Sequence, residues 1–106
     1  MANNIENEFL VEDEFDRMLR TATTDVINER GLADTVRVSE ISTQIDSDRY
    51  VVGLKQKTLR ARSVYHSFYI DPAEALRAVS GGLITVDTLK ALVRREIVKI
   101  FPEAKH

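Results

Sequence analysis

The sequence predicts a small α+β fold in a single domain: an N-terminal helix, an antiparallel three-stranded meander and two C-terminal helices. Three observations carry this expectation. Apolar residues recur at helical spacing between Glu12 and Arg30, β-branched and aromatic residues dominate from Thr35 to Ile70, and helix start and stop signals bracket two stripes between Asp71 and Pro102. An all-α chain with a long central helix is the alternative. At 106 residues the chain suffices for one core. Residues 9–106 are assigned to the domain, and residues 1–8 (MANNIENE) read as a flexible polar N-terminal arm.

In the first helix, Phe15, Leu19, Ala22 and Val26 fall at steps of four, three and four, which lays one apolar stripe along it. Glu12, Asp13, Glu14 and Asp16 then crowd its first turn, where carboxylates complement the positive end of the helix dipole. Gly31 follows as a C-terminal cap residue. Residues 35–45 (TVRVSEISTQI) favour a strand, although Val36 and Val38 share one parity and Ile41 and Ile45 the other. A bulge reconciles them, as does a short helix opened by Ser39. Asp46-Ser47-Asp48 reads as a turn without the further ligands of a calcium loop.

The stretch RYVVGLKQKTLRARSVYHSFYI, residues 49–70, holds five basic side chains and no acidic one. As a helix it would align Val51, Leu54, Thr58, Ala61, Tyr65 and Phe68 along a seam. As a hairpin with its tip near Lys57–Arg60 it uses the strand-favouring segments YVV and VYHSFYI, and Gly53 also speaks against the helix. If the hairpin loop holds an even number of residues, position 56 faces 61, 54 faces 63 and 52 faces 65. Lys55, Lys57, Arg60 and Arg62 then gather on one face near the tip, with Val51, Val64, Phe68 and Ile70 towards the base. The opposite face would carry Tyr50, Val52, Leu54, Ala61, Tyr65 and Tyr69. An odd loop breaks this alignment.

In Asp71-Pro72-Ala73-Glu74, Asp71 is the N-cap, Pro72 the first helical residue and Glu74 the partner of a capping box, with Ile70 stapled onto Ala75. Gly81-Gly82 ends this helix. The last helix starts near Thr85 or Asp87, carries Leu89, Val93, Ile97 and Ile100 on one face and stops before Pro102. The order of elements resembles that of double-stranded-RNA-binding domains. The second helix opens here with DPAEAL where that family has a lysine-rich opening, so the resemblance assigns no residue a role.

Charge is unevenly spread. Residues 1–48 carry twelve acidic against four basic side chains, a net of −8, and residues 49–106 five against eleven, a net of +6. Within one fold, or across a dimer, the halves neutralise each other. A second basic group, Lys90, Arg94, Arg95 and Lys99, lies on the last helix, where its C-terminal dipole favours cations. Without cysteine there is no disulfide, thiolate catalysis or zinc ribbon. The acidic opening is not a secretory signal and no apolar run reaches membrane-spanning length, so no membrane association and a cytoplasmic setting are expected.

Catalysis is not expected. His66 lies near Ser63, Ser67 and Asp71, but no nucleophile elbow surrounds either serine, and His66 reads as a histidine in or beside the core. Ser80-Gly81-Gly82 follows a helix instead of opening one, so it is no phosphate cradle. No metal and no cofactor are expected.

Three functions remain. The first is a small non-enzymatic regulator or adaptor that binds a protein partner, as a homodimer or higher oligomer, through the acidic surface of Glu12, Asp13, Glu14 and Asp16 and the basic hairpin. The second is nucleic-acid binding, with Lys55, Lys57, Arg60 and Arg62 on phosphates and Tyr65 and Tyr69 as stacking surfaces. The third is a structural subunit of a larger assembly, a role that small cysteine-free domains often fill in bacteria and phages.

Overall fold

A computed structural model describes residues 2–43, 49–60, 62–77 and 83–102, with side chains from Glu14 onward. The elements run α1 (Ala2–Glu29), β1 (Val36–Thr43), β2 (Tyr50–Lys57), β3 (Ser63–Ile70), α2 (Pro72–Arg77) and α3 (Val86–Ile100). The α+β fold holds and the long central helix does not, because residues 50–57 and 63–70 are paired strands. The expected turn at Asp46-Ser47-Asp48, the facing of Ala61, the position of Ile45 and the stop at Ser80-Gly81-Gly82 lie outside the described residues.

The stripe expected along α1 is the stripe that is buried. Leu19, Ala22 and Val26 are inaccessible to solvent, Ile27 nearly so, and Phe15 packs at their edge. Thr23 is buried among them, and its hydroxyl donates to the Leu19 carbonyl at 2.7 Å, which satisfies that hydroxyl. Gly31 closes the helix with φ at 70°. The Leu32 N–H reaches the Ile27 carbonyl at 2.9 Å and the Gly31 N–H the Asn28 carbonyl at 3.1 Å, the paired bonds of a Schellman motif. The helix begins earlier than the apolar pattern, since its backbone is helical from Ala2 through the stretch expected as an arm. Glu12, Asp13, Glu14 and Asp16 therefore lie well inside it. The helix dipole, which acts within the first turn, is not what places them.

The sheet has the order β1-β2-β3, antiparallel throughout. Tyr50 faces Ile70 and Lys57 faces Ser63, which leaves residues 58–62 as a five-residue turn. The Thr58 N–H and hydroxyl both donate to the Arg62 carbonyl, at 2.9 and 3.2 Å, and close that turn. Five is odd, so residues of like parity stand opposite one another. The even-loop pairing of 56 with 61 and 54 with 63, which leaves a four-residue loop at 57–60, is thus corrected: the bonds from Thr58 to Arg62 close a turn one residue longer.

In β1 the register shifts between Val38 and Glu40. Val38 faces Leu54 and Glu40 faces Gly53, with Ser39 as the extra residue of a bulge. This reconciles the parities of Val36, Val38 and Ile41, as the bulged strand requires. All three now turn towards the helices.

Those helices cover one face. Val36, Val52, Leu54, Phe68 and Ile70 of the sheet meet the α1 stripe and Leu89, Val93 and Ile97 of α3 in one buried cluster. Phe15 lies against Tyr50 with ring centroids 4.6 Å apart. Asp71 caps α2 by accepting from the Ala73 N–H at 2.9 Å, and Ile70 and Ala75 are both buried beside it. Glu74 does not complete a capping box: it turns to Arg95 of α3 instead. Thr85 caps α3, its hydroxyl accepting from the Thr88 N–H at 3.3 Å.

Leu89→Ala, which empties a fully buried position of α3, is expected to lower unfolding free energy by about 2–5 kcal/mol in urea titration. Gly31→Ala forces a side chain onto a left-handed backbone and is expected to cost about 1 kcal/mol in the same assay.

Candidate functional site

Strand alternation sends every second residue away from the helices, and among the described residues no element covers that outer face. β2 contributes Val51, Gly53, Lys55 and Lys57 to it, and β3 contributes Ser63, Tyr65, Ser67 and Tyr69. From β1 come Arg37, Ser42 and, at the bulge, Ser39 and Glu40. The odd turn overturns the expected facing here. Tyr65 and Tyr69 share a face with Lys55 and Lys57, whereas Val64, Phe68 and Ile70 share the opposite face with Tyr50, Val52 and Leu54. The base of the outer face is consequently less apolar than expected, with Val51 and the two tyrosines its main apolar surface.

Both tyrosines are open to solvent, Tyr65 at 65% and Tyr69 at 46% of full exposure. They stand four residues apart on one strand, about 13 Å at about 3.3 Å per residue. The Arg49 guanidinium lies over the Tyr69 ring, 4.7 Å from its centroid. Tyr65 faces Lys55 directly, and Lys55 faces Arg37 on its other side. Two cations directly opposite each other oppose pairing of the strands. Arg37, Lys55 and Lys57 nevertheless have no acidic partner among the described residues, and with Asp34, Thr35 and Ser63 they line a cleft of about 280 Å³. Arg60 and Arg62 belong to the turn and not to this face, so the expected cluster of four cations divides into two pairs. Beside Arg60, Leu59 is fully exposed.

Gly53 marks the middle of the outer face. A Cβ there would come within 3.1 Å of the Ser39 hydroxyl and 3.4 Å of Glu40 Cγ, so the bulge places two polar side chains over one residue that has none. A shallow hollow of about 340 Å³ surrounds this point, lined by Ser39, Glu40, Val51, Gly53, Tyr65, His66 and Ser67.

The other candidate groups do not join this face. Glu14 is exposed on α1, and Asp16 lies 3.8 Å from Arg20 of the same helix. The side chains of Glu12 and Asp13 lie outside the described residues. Ser63 and Ser67 point outward, while His66 turns to the covered face, where Nε2 is 2.9 Å from Gln56 Oε1 and the ring meets Phe101 edge-on. The serines and the histidine therefore do not converge. Among the described residues there is no metal-binding cluster of His, Asp and Glu, and no helix is long and apolar enough to cross a membrane.

The basic group on α3 is engaged in ion pairs. Glu29, at the end of α1, meets Lys90 at 2.6 Å and Arg94 at 2.8 Å, and Arg95 holds Glu74 through two nitrogens at 2.9 and 3.1 Å. Hydrogen bonds from Lys90 and then Arg94 hold the Glu29 carboxyl below its ordinary value of 4.5, and the bond to Glu29 raises Lys90 above 10.5. Arg95 hydrogen bonding likewise lowers Glu74.

Arg37, Ser39, Glu40, Arg49 and Gly53 were not singled out as site residues by sequence reasoning. Arg37 had a signal, since it alternates outward between Val36 and Val38. The others depend on the bulge and on the facing of Tyr69. Comparison with protein-family models, with curated proteins and with solved structures found no match.

Because the Glu29 pKa is lowered by folding, its contribution to stability is present above pH 4.5 and is lost as the pH falls through the folded-state value. In thermal melts, Glu29→Gln is therefore expected to be less stable than the parent chain at neutral pH, with the gap narrowing below pH 4.5. A gap that widens on acidification would contradict the ion pair's role.

Proposed function

We propose that this chain is a non-enzymatic binding protein that takes single-stranded nucleic acid on the open face of its sheet. The observation supporting the reading is the register of β2 with β3, which puts Tyr65 and Tyr69 on one surface with Lys55, Lys57 and Arg37. Exposed aromatic rings offer stacking surfaces to unpaired bases of any sequence, and cations beside them neutralise the phosphates between those bases. The spacing of the rings suits a strand lying along β3 with more than one nucleotide between the stacked bases. The unpartnered cations of the cleft fit a polyanion, which removes the repulsion between Arg37 and Lys55 on binding. Arg60 and Arg62, on the projecting turn, extend the same charged track.

A protein-binding regulator is the second reading, and the charge of the whole chain favours it. With a net charge of −2, the long-range field of the protein does not draw in a polyanion. The outer face would then dock on an acidic protein surface, and α1 of a second copy is such a surface, giving a homodimer.

Fluorescence anisotropy with short labelled oligouridylate and oligothymidylate separates the two. Three phosphate contacts at about 0.7 per contact give an expected slope of about −2 for log K against log salt concentration. Tyr65→Ala and Tyr69→Ala are each expected to weaken binding by about 1–3 kcal/mol, and the corresponding phenylalanine variants to keep most of it. No binding at low salt, together with a light-scattering mass of twice 12.0 kDa that falls to 12.0 kDa as salt is added, would support the regulator instead.

A further inference from the structure

We infer that the hollow at Gly53 is a base-reading subsite and that Glu40 makes it select guanine. This deepens the nucleic-acid reading and rests on it. An unbulged β1 would place one side chain opposite Gly53; the extra residue brings both Ser39 and Glu40 to that position, and bulges next to binding sites re-aim side chains in this way. Gly53 supplies no Cβ, which lets Ser39 and Glu40 close over it, and the hollow extends from these side chains towards Ser67, which faces Gly53 from β3. Tyr65 stands at the rim. A base stacked against Tyr65 would therefore direct an edge into the hollow, towards the hydroxyls of Ser39 and Ser67 and the Glu40 carboxylate.

Charge sorts what enters. Glu40 is the one acidic side chain that the described strands put on the outer face; it lines the hollow, whereas Arg37, Lys55 and Lys57 line the cleft, and it forms no ion pair with any of them. A carboxylate repels phosphate, so the backbone is steered to the cationic cleft and a base is left for the hollow. The ionised carboxylate is an acceptor only, with two oxygens. Guanine alone presents two adjacent donors, N1–H and the N2 amino group, on its Watson–Crick edge. Adenine and cytosine set an amino group beside a ring nitrogen that accepts, and uracil sets its single N–H between two carbonyls, so each would turn a lone pair towards Glu40. Glu40 is thus a specificity-determining residue and not a catalytic one.

The test compares an oligouridylate with the same oligomer carrying one central guanine, and with one carrying hypoxanthine, which lacks the N2 amino group. Binding is read by anisotropy at fixed low salt with the parent chain, Glu40→Gln and Glu40→Ala, whose folds are checked by circular dichroism. The parent chain is expected to favour the guanine oligomer by about tenfold over oligouridylate, with hypoxanthine between them and the preference lost in both variants. Equal binding of all three oligomers by the parent chain, or a guanine preference unchanged in Glu40→Ala, overturns the guanine subsite while leaving nucleic-acid binding in place. Failure of every oligomer to bind overturns the reading beneath it.

Discussion

Two local features of the meander decide what this molecule presents to its surroundings: a turn of odd length and a bulge of one residue. A strand has only two faces, and a shift of one residue exchanges them completely. With five residues between Lys57 and Ser63, Phe68 and Ile70 enter the core and Tyr65 and Tyr69 leave it. With Ser39 inserted in β1, Val36, Val38 and Ile41 all reach the core although their sequence parities disagree. The buried cluster holds both features in place, because any slip would carry Phe68 and Ile70 into water. The surface is therefore fixed by the core, and the outward tyrosines need no favourable contact of their own to stay where they are.

The cations divide along the same line. On α3, Lys90, Arg94 and Arg95 are engaged by Glu29 and Glu74, and these pairs tie the end of α1 and the start of α2 to the last helix. On the sheet, Arg37, Lys55 and Lys57 stand close together with no acidic partner among the described residues. Among the described residues the ion pairs therefore lie at the helices, only those of Glu29 join the acidic half to the basic half, and the cations of the sheet take part in none of them. A chain with a slightly negative total charge in this way keeps a locally positive, aromatic surface.

Much of the fold was legible because its signals are local. The stripe of Leu19, Ala22 and Val26, the cap at Gly31, the Asp71-Pro72 helix start and the Thr85–Pro102 helix each follow from a few neighbouring residues. The mismatch of Val38 and Ile41 was legible too, but it allowed a short helix opened by Ser39 as well as the bulge that forms. The facing of the hairpin was not, since turn length depends on how the strands settle on the core, and nothing in Lys57–Arg62 announces five residues over four. The hollow at Gly53 was hidden for the same reason: it forms between β1 and β2, thirteen residues apart at Glu40 and Gly53, and needs the register of both. Glu74 shows a further limit. Its spacing from Asp71 is that of a capping box, but a guanidinium twenty-one residues away at Arg95 is the stronger partner.

The register of β2 against β3 is the claim on which the surface, the core and the proposed site all depend, and it is directly measurable by nuclear Overhauser spectroscopy on the isotope-labelled chain. Cross-strand contacts are expected between Lys55 and Tyr65 and between Gly53 and Ser67. Contacts of Lys55 with Arg62 and of Gly53 with Val64 would contradict it, for they would return Tyr65 and Tyr69 to the face that the helices cover.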